Sequence, residues 1–112
     1  MKLYGIPNCD TVKKARIWLA DQGWACDFHD FKKAGVPEDR MQAWLAAAGW
    51  EVLLNRKGTA WRGLDESLRA QVVDAPSAAA VMRQCPSVIK RPVVEWPDGR
   101  ITVGFDPARW RA

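Results

Sequence analysis

No apolar run in this 112-residue chain approaches the roughly 20 residues that a membrane-crossing helix needs. No apolar h-region with a cleavage site follows the N-terminal lysine, so no secretory signal is expected. Histidine occurs once, at His29, and no two cysteines have metal-ligand spacing; a structural zinc site is not expected. The three cysteines, Cys9, Cys26 and Cys85, are odd in number and far apart. That argues against a disulfide scaffold and for a reducing compartment, the cytoplasm. No block of five or more basic residues is present, although Lys and Arg (17) outnumber Asp and Glu (13) to give a net charge of +4. Spread in ones and twos, these charges suit a mildly basic surface or a small anionic ligand better than nucleic acid. Repeats, linkers and low-complexity segments are absent.

What is there fits one domain, 1–112, with one core. The apolar fraction of 48% and charged fraction of 27% are those of a globular protein. Seven tryptophans are too many for all to bury fully, so some aromatic surface should line a groove.

The stretch Met1–Leu19 organises the rest. Lys2-Leu3-Tyr4 reads as a buried first strand, and Gly5, Pro7 and Asn8 as turn formers. From Asp10 the period becomes helical, with Val12, Ala15 and Leu19 on one face. Cys9 therefore falls where turn becomes helix, facing unpaired N–H groups and the positive end of the helix dipole. Those donors favour a thiolate over a thiol, and Lys13 and Lys14 add positive charge one turn on. The competing reading of Cys9 is a small buried hydrophobe.

After Gly23, the alternation from Ala25 to Phe31 predicts a second, half-buried strand, completing a βαβ unit with parallel strands. On this pattern Cys26 reads as core and His29 as a surface or strand-end residue. Lys32 to Pro37 reads as a polar loop. Met41, Trp44, Leu45 and Ala48 predict an amphipathic helix ending at Gly49. Residues 51–54 continue as a short helical piece, and Asn55 to Gly63 is a basic loop. Leu64, Leu68 and Val72 mark the next helix, with Asp65 as its cap. Pro76 opens another, whose stripe of Ala78, Val81 and Met82 is completed by Cys85. Val93 to Trp96 and Ile101 to Phe105 form a hairpin about Pro97-Asp98-Gly99, and Asp106 or Pro107 opens a last helix with Trp110. The fold class is α/β, with a mixed four-stranded sheet and a helical insertion over about 37–85.

Three motifs in this order resemble the arsenate reductase (ArsC-like) superfamily, in its YffB/Spx branch. They are Asn8-Cys9-Asp10-Thr11-Val12-Lys13-Lys14-Ala15-Arg16, Leu53-Leu54-Asn55-Arg56-Lys57-Gly58-Thr59-Ala60-Trp61-Arg62, and Ile89-Lys90-Arg91-Pro92. The resemblance covers nearly the whole chain. It implies a thioredoxin-like fold, a single nucleophilic cysteine, Cys9, and glutathione as co-substrate, with no metal. It further implies a binding surface from Asn8, Asp10, Thr11, Val12, Lys13, Arg56, Arg91 and Pro92, the proline cis beside the cysteine. Arginines suit such a surface because their planar forks fit carboxylates and oxyanions. Trp61, in the basic loop, is expected in the wall of the site.

The departures matter equally. Lys13 stands where arsenate reductases carry an arginine, and Gly104 lies in the segment where they have another, so arsenate reduction is not expected. Val12 stands where Spx regulators have a second cysteine, so no Cys-x-x-Cys switch exists. The expected partners are glutathione and a glutathionylated or disulfide substrate, without membrane or direct nucleic-acid binding. The alternative is an Spx-like regulator that binds RNA polymerase near Gly49.

Overall fold

The computed structural model describes residues 1–110. They divide into two compact units, residues 1–34 with 91–110, and Gly35–Lys90.

The first unit is built on a four-stranded sheet in the order β2-β1-β3-β4. Strand β1 (Lys2–Gly5) pairs in parallel with β2 (Asp27–Asp30), placing Leu3 opposite Phe28 and Gly5 opposite Asp30. On its other side β1 pairs antiparallel with β3 (Val93–Glu95), and β3 with β4 (Ile101–Val103). This is the expected mixed sheet of a thioredoxin-like fold: a parallel βαβ half and an antiparallel hairpin half. Alternation along β1 sends Leu3 to one face and Tyr4 to the other. Leu3 and Val94 join Val12, Ala15 and Leu19 of helix α1 (Asp10–Asp21) in one buried cluster with Trp96 and Trp110. On the other face Tyr4, only 2% exposed, donates its hydroxyl hydrogen to Glu95 Oε1 at 2.8 Å.

The βαβ crossover is tight at one point. A Cβ on Gly5 would lie 2.9 Å from Val12 Cγ2, and Val12 is fully buried and stiff at χ1. Glycine at the end of β1 thus lets the first turn of α1 settle onto the strand.

Three strands are shorter than the sequence predicts, β3 by Trp96 alone and β2 and β4 by more. Strand β2 begins at Asp27, opposite Lys2, so Ala25 and Cys26 precede the ladder. It ends at Asp30 because β1 ends opposite it and because Asp30 Oδ1 accepts the Lys32 N–H at 2.8 Å, turning the chain. Phe31, expected as the last strand residue, instead opens the single helical turn α2 (Phe31–Ala34), within the stretch read as loop. In the hairpin, Trp96 N–H donates to Arg100 O and Gly99 N–H to Trp96 O, closing the turn. Strand β4 stops at Val103. Phe105 leaves the ladder and packs edge-on against Trp110, at 5.0 Å, in the short helix α8 (Pro107–Trp110).

The second unit is helical: α3 (Glu38–Ala48), α4 (Trp50–Leu53), α5 (Thr59–Arg62), α6 (Glu66–Ala70) and α7 (Ala75–Gln84), then a 3₁₀ turn at Pro86–Val88. Helix α3 ends as expected at Gly49. The turn α5 lies in the stretch read as loop. Asp65 is at the N-cap of α6, but its side chain makes no capping bond. Helix α7 has what α6 lacks, a reciprocal capping box: Ser77 N–H donates to Asp74 Oδ1 and Asp74 N–H to Ser77 Oγ, at 3.0 and 3.1 Å. Arg83 of α7 donates Nε–H to Glu38 Oε2 of α3 at 2.6 Å and Nη2–H to Oε1 at 3.0 Å. Leu54 and Ile89 form an isolated antiparallel bridge.

Gly5→Ala is expected to lower stability by about 1–3 kcal/mol, the usual range for overpacking a stiff core. Urea unfolding followed by circular dichroism checks it; an unchanged midpoint would show that Val12 yields freely.

Candidate active site

Cys9 is the N-cap of α1, with extended backbone (φ −133°, ψ 122°), and its carbonyl accepts the Lys13 N–H at 2.9 Å. The side chain is half-buried, packing against the cluster of Leu3, Val12 and Val94. It makes no capping hydrogen bond. A helix leaves its first N–H groups without intrahelical acceptors, here those opening at Asp10, so donors and the positive dipole end lie beside the sulfur. Asn8, Asp10, Thr11 and Lys13 are exposed around it. Val12 is different: its side chain is in the core, and only its backbone N–H is available to a ligand.

The sheet register brings the third motif to the same end of the unit. Val93 lies opposite Tyr4 in an antiparallel pair, so Arg91 and Pro92 precede β3 at the end where β1 delivers Ile6 to Cys9. The Arg91–Pro92 peptide bond is cis, as the resemblance implied. Pro92 is buried and Arg91 half-buried. Gly104 closes this end: its N–H donates to Pro92 O at 2.9 Å, with φ at +88°. A side chain there would be strained, so the absence of an arginine is built into the backbone.

Arg56 belongs to the second unit. Its guanidinium lies 5.5 Å from the centre of the Trp50 ring and 3.7 Å from Glu51 Oε2, and it is largely exposed. It lines a depression of about 280 Å³ with Lys57 and Lys90. The pairing of Leu53 O with Lys90 N–H and of Val88 O with Asn55 N–H brings these two segments together. Three cations against one carboxylate suit an anionic group. Lys57 and Lys90 were not singled out from sequence: each stands beside an arginine, and only the pairing of 53–55 with 88–90 shows that they share a wall. Trp61 is half-buried on α5.

The other cysteines sit differently. Cys26 is half-buried, its thiol pointing at Asp27 O at 3.6 Å; burial pushes its pKa up, only partly offset by the N-terminal ammonium. Cys85 is half-buried where α7 ends and the 3₁₀ turn begins. His29 lies in β2 with its ring 5.0 Å from that of Tyr4. Among the described residues no three His, Cys, Asp or Glu side chains gather around one point. The expected aromatic groove is present at the hairpin end of the first unit. Trp18, Trp24, Trp96 and Trp110 line about 360 Å³ there, with neighbouring rings edge-to-face at 5.3–5.7 Å.

Comparison with known proteins agrees with this geometry. A family model described as the ArsC family matches residues 4–112. An uncharacterised protein of Haemophilus influenzae is 38% identical over 110 residues, covering 98% of this chain and 95% of that one. The solved structure of a YffB protein superposes with a TM-score of 0.90 at 45% identity, covering 98% and 95% of the two chains. The solution structure of an arsenate reductase (ArsC) related protein from Brucella melitensis gives 0.76 at 50% identity, covering 98% and 90%. The chain belongs to the ArsC family and is similar, over nearly its full length, to the YffB-like proteins within it.

Proposed function

We propose that the protein is a glutathione-dependent thiol reductase that works through one cysteine. The observation that carries this reading is the position of Cys9, half-buried at the N-cap of a twelve-residue helix. Its thiolate attacks the glutathionyl sulfur of a protein–glutathione mixed disulfide. A Cys9–S–S–glutathione bond forms, the substrate's bond breaks, and the substrate leaves as a thiolate that takes up a proton. A second glutathione, as thiolate, then attacks the glutathionyl sulfur held on Cys9. Glutathione disulfide departs and Cys9 returns as thiolate. In sum, the mixed disulfide and one free glutathione become the substrate thiol and glutathione disulfide, whose other half is the glutathionyl group taken from the substrate, with no protein thiol consumed.

The residues around Cys9 support each step. The first N–H groups of α1 open beside the sulfur, the atom that carries the charge both as nucleophile and as leaving group. Arg91, at the same end of the sheet, offers a planar fork to a glutathione carboxylate, while within the helical unit Arg56, Lys57 and Lys90 line a cationic depression of their own. Val12 at the place of a second cysteine leaves an external thiol to finish the cycle. An oxyanion such as arsenate is a poorer fit, because Gly104 supplies no side chain and its N–H is taken by Pro92. The polymerase-binding alternative draws only on exposed Gly49, whose positive φ has a sufficient explanation in ending α3.

Cys9→Ser should abolish both the glutathione adduct seen by mass spectrometry after incubation with glutathione disulfide and the glutathione-dependent reduction of a glutathionylated peptide. Retention of turnover in Cys9→Ser would overturn the mechanism. A pull-down that captures RNA polymerase with wild type while no adduct forms on Cys9 would favour the alternative.

The other thiols give a pH test. Cys26 has a raised pKa, so the folded protein holds it neutral further into the alkaline range than an unfolded chain does. Its contribution to stability is complete below the ordinary thiol range and is lost as pH rises through the raised value. Iodoacetamide at neutral pH, followed by peptide mapping, should therefore label Cys26 slowly, its labelling climbing only at higher pH. Fast labelling of Cys26 at neutral pH would contradict its burial.

A further inference from the structure

The charges of the first unit are not evenly placed. At the Cys9 end of the sheet stand Lys13 and Lys14 on α1, Lys32 and Lys33 on α2, and Arg91 before β3. Lys32 and Lys33 are there because α2 follows directly on Asp30, which pairs with Gly5 at the end of β1. The carboxylates at this end are Asp10, Asp30 and Asp106, so five cations face three anions and the excess is positive. The opposite end carries Asp21 at the end of α1, Asp27 opening β2, and Glu95 and Asp98 around the hairpin. Lys2, Arg100, Arg109 of α8 and the N-terminal ammonium stand against those four, so the charges there balance and the excess is confined to the Cys9 end. Arg16 stacks over Phe28 at 4.4 Å, midway along the sheet. Four of the five cations at the Cys9 end, the lysines, are exposed.

We propose that this polarity selects the disulfide partner of Cys9: an acidic peptide segment flanking the disulfide is drawn to the cysteine end, and a basic one is held off. The proposal rests on Cys9 being the exchanging thiol, and it adds the chemical class of substrate. A cleft or surface of one sign raises the local concentration of oppositely charged partners and their association rate, and salt suppresses the effect. Lys32 and Lys33 are specificity-determining, not catalytic. Neither touches the sulfur, and both act through charge.

The test uses the full chain with Cys26→Ala and Cys85→Ala, so that Cys9 alone reports. Two peptides of equal length, one with aspartates and one with lysines around a single cysteine, are activated as mixed disulfides with 2-thiopyridine. Cys9 thiolate attacks the peptide sulfur, the peptide–thiopyridyl bond breaks, and 2-thiopyridone release gives the rate. The same pair is measured with 2-mercaptoethanol, an uncharged small thiol, as reference. At low salt the aspartate peptide should react about tenfold faster than the lysine peptide, relative to the reference ratio. At 0.5 M salt, where the Debye length falls to a few ångström, the ratio should approach the reference. Lys32→Glu with Lys33→Glu should reduce the low-salt ratio several-fold. Asp21→Lys, at the opposite end, should leave it unchanged.

A low-salt ratio equal to the reference overturns the proposal. So does an Asp21→Lys variant that moves the ratio as far as the lysine pair, since net charge and not its placement would then be responsible. The reductase reading fails separately: the charge ratio would hold, but glutathione would not release the peptide from Cys9.

Discussion

The contact between Gly5 and Val12 sets the position of everything chemical in the first unit. Strand β1 is paired on both sides and cannot shift without breaking two ladders. Helix α1 rests on it through Val12, Ala15 and Leu19. At the strand's last residue, a hydrogen in place of a methyl lets the first helical turn sit down. The four residues between, Ile6 to Cys9, are held at both ends, so Cys9 is fixed by packing although it lies at a loop junction. A nucleophile placed this way needs little reorganisation before it reacts.

The elements that depend on local pattern were legible in the sequence. The 3.6-residue period of α1, α3 and α7 and the turn residues of the hairpin marked those elements before any coordinates. What was not legible depends on partners remote in sequence. Strand β2 stops at Asp30 because β1 has no more residues to pair with it, and Phe31 turns away under the Asp30–Lys32 hydrogen bond. Lys57 and Lys90 share a depression only because residues 53–55 lie against 88–90. Cys85 looked like the end of an apolar stripe, but the helix stops one residue earlier and leaves it half-buried. In the site, the N-cap place of Cys9 was readable from a change of period. That Val12 offers only backbone followed from the same periodicity, which put it on the buried face.

The sheet topology also explains why motifs 80 residues apart in sequence meet. A parallel β1–β2 pair and an antiparallel β1–β3 pair direct the end of β1, the end of β2 and the start of β3 to one edge. Every connection leaving or entering there can carry function, while those at the other edge are free to do something else. The hairpin turn and the end of α1 lie at that other edge, with the four tryptophans of the first unit.

The indole rings there form a continuous edge-to-face series, Trp24 to Trp96 to Trp110 to Trp18, with Phe105 joining it at Trp110. Rings this close share their excited states, so their ultraviolet transitions couple and give a near-ultraviolet dichroism that belongs to the array. The signal reports the docking of the hairpin and α8 onto α1. It gives this unit a built-in optical gauge of its own tertiary packing, at the edge remote from the reactive sulfur.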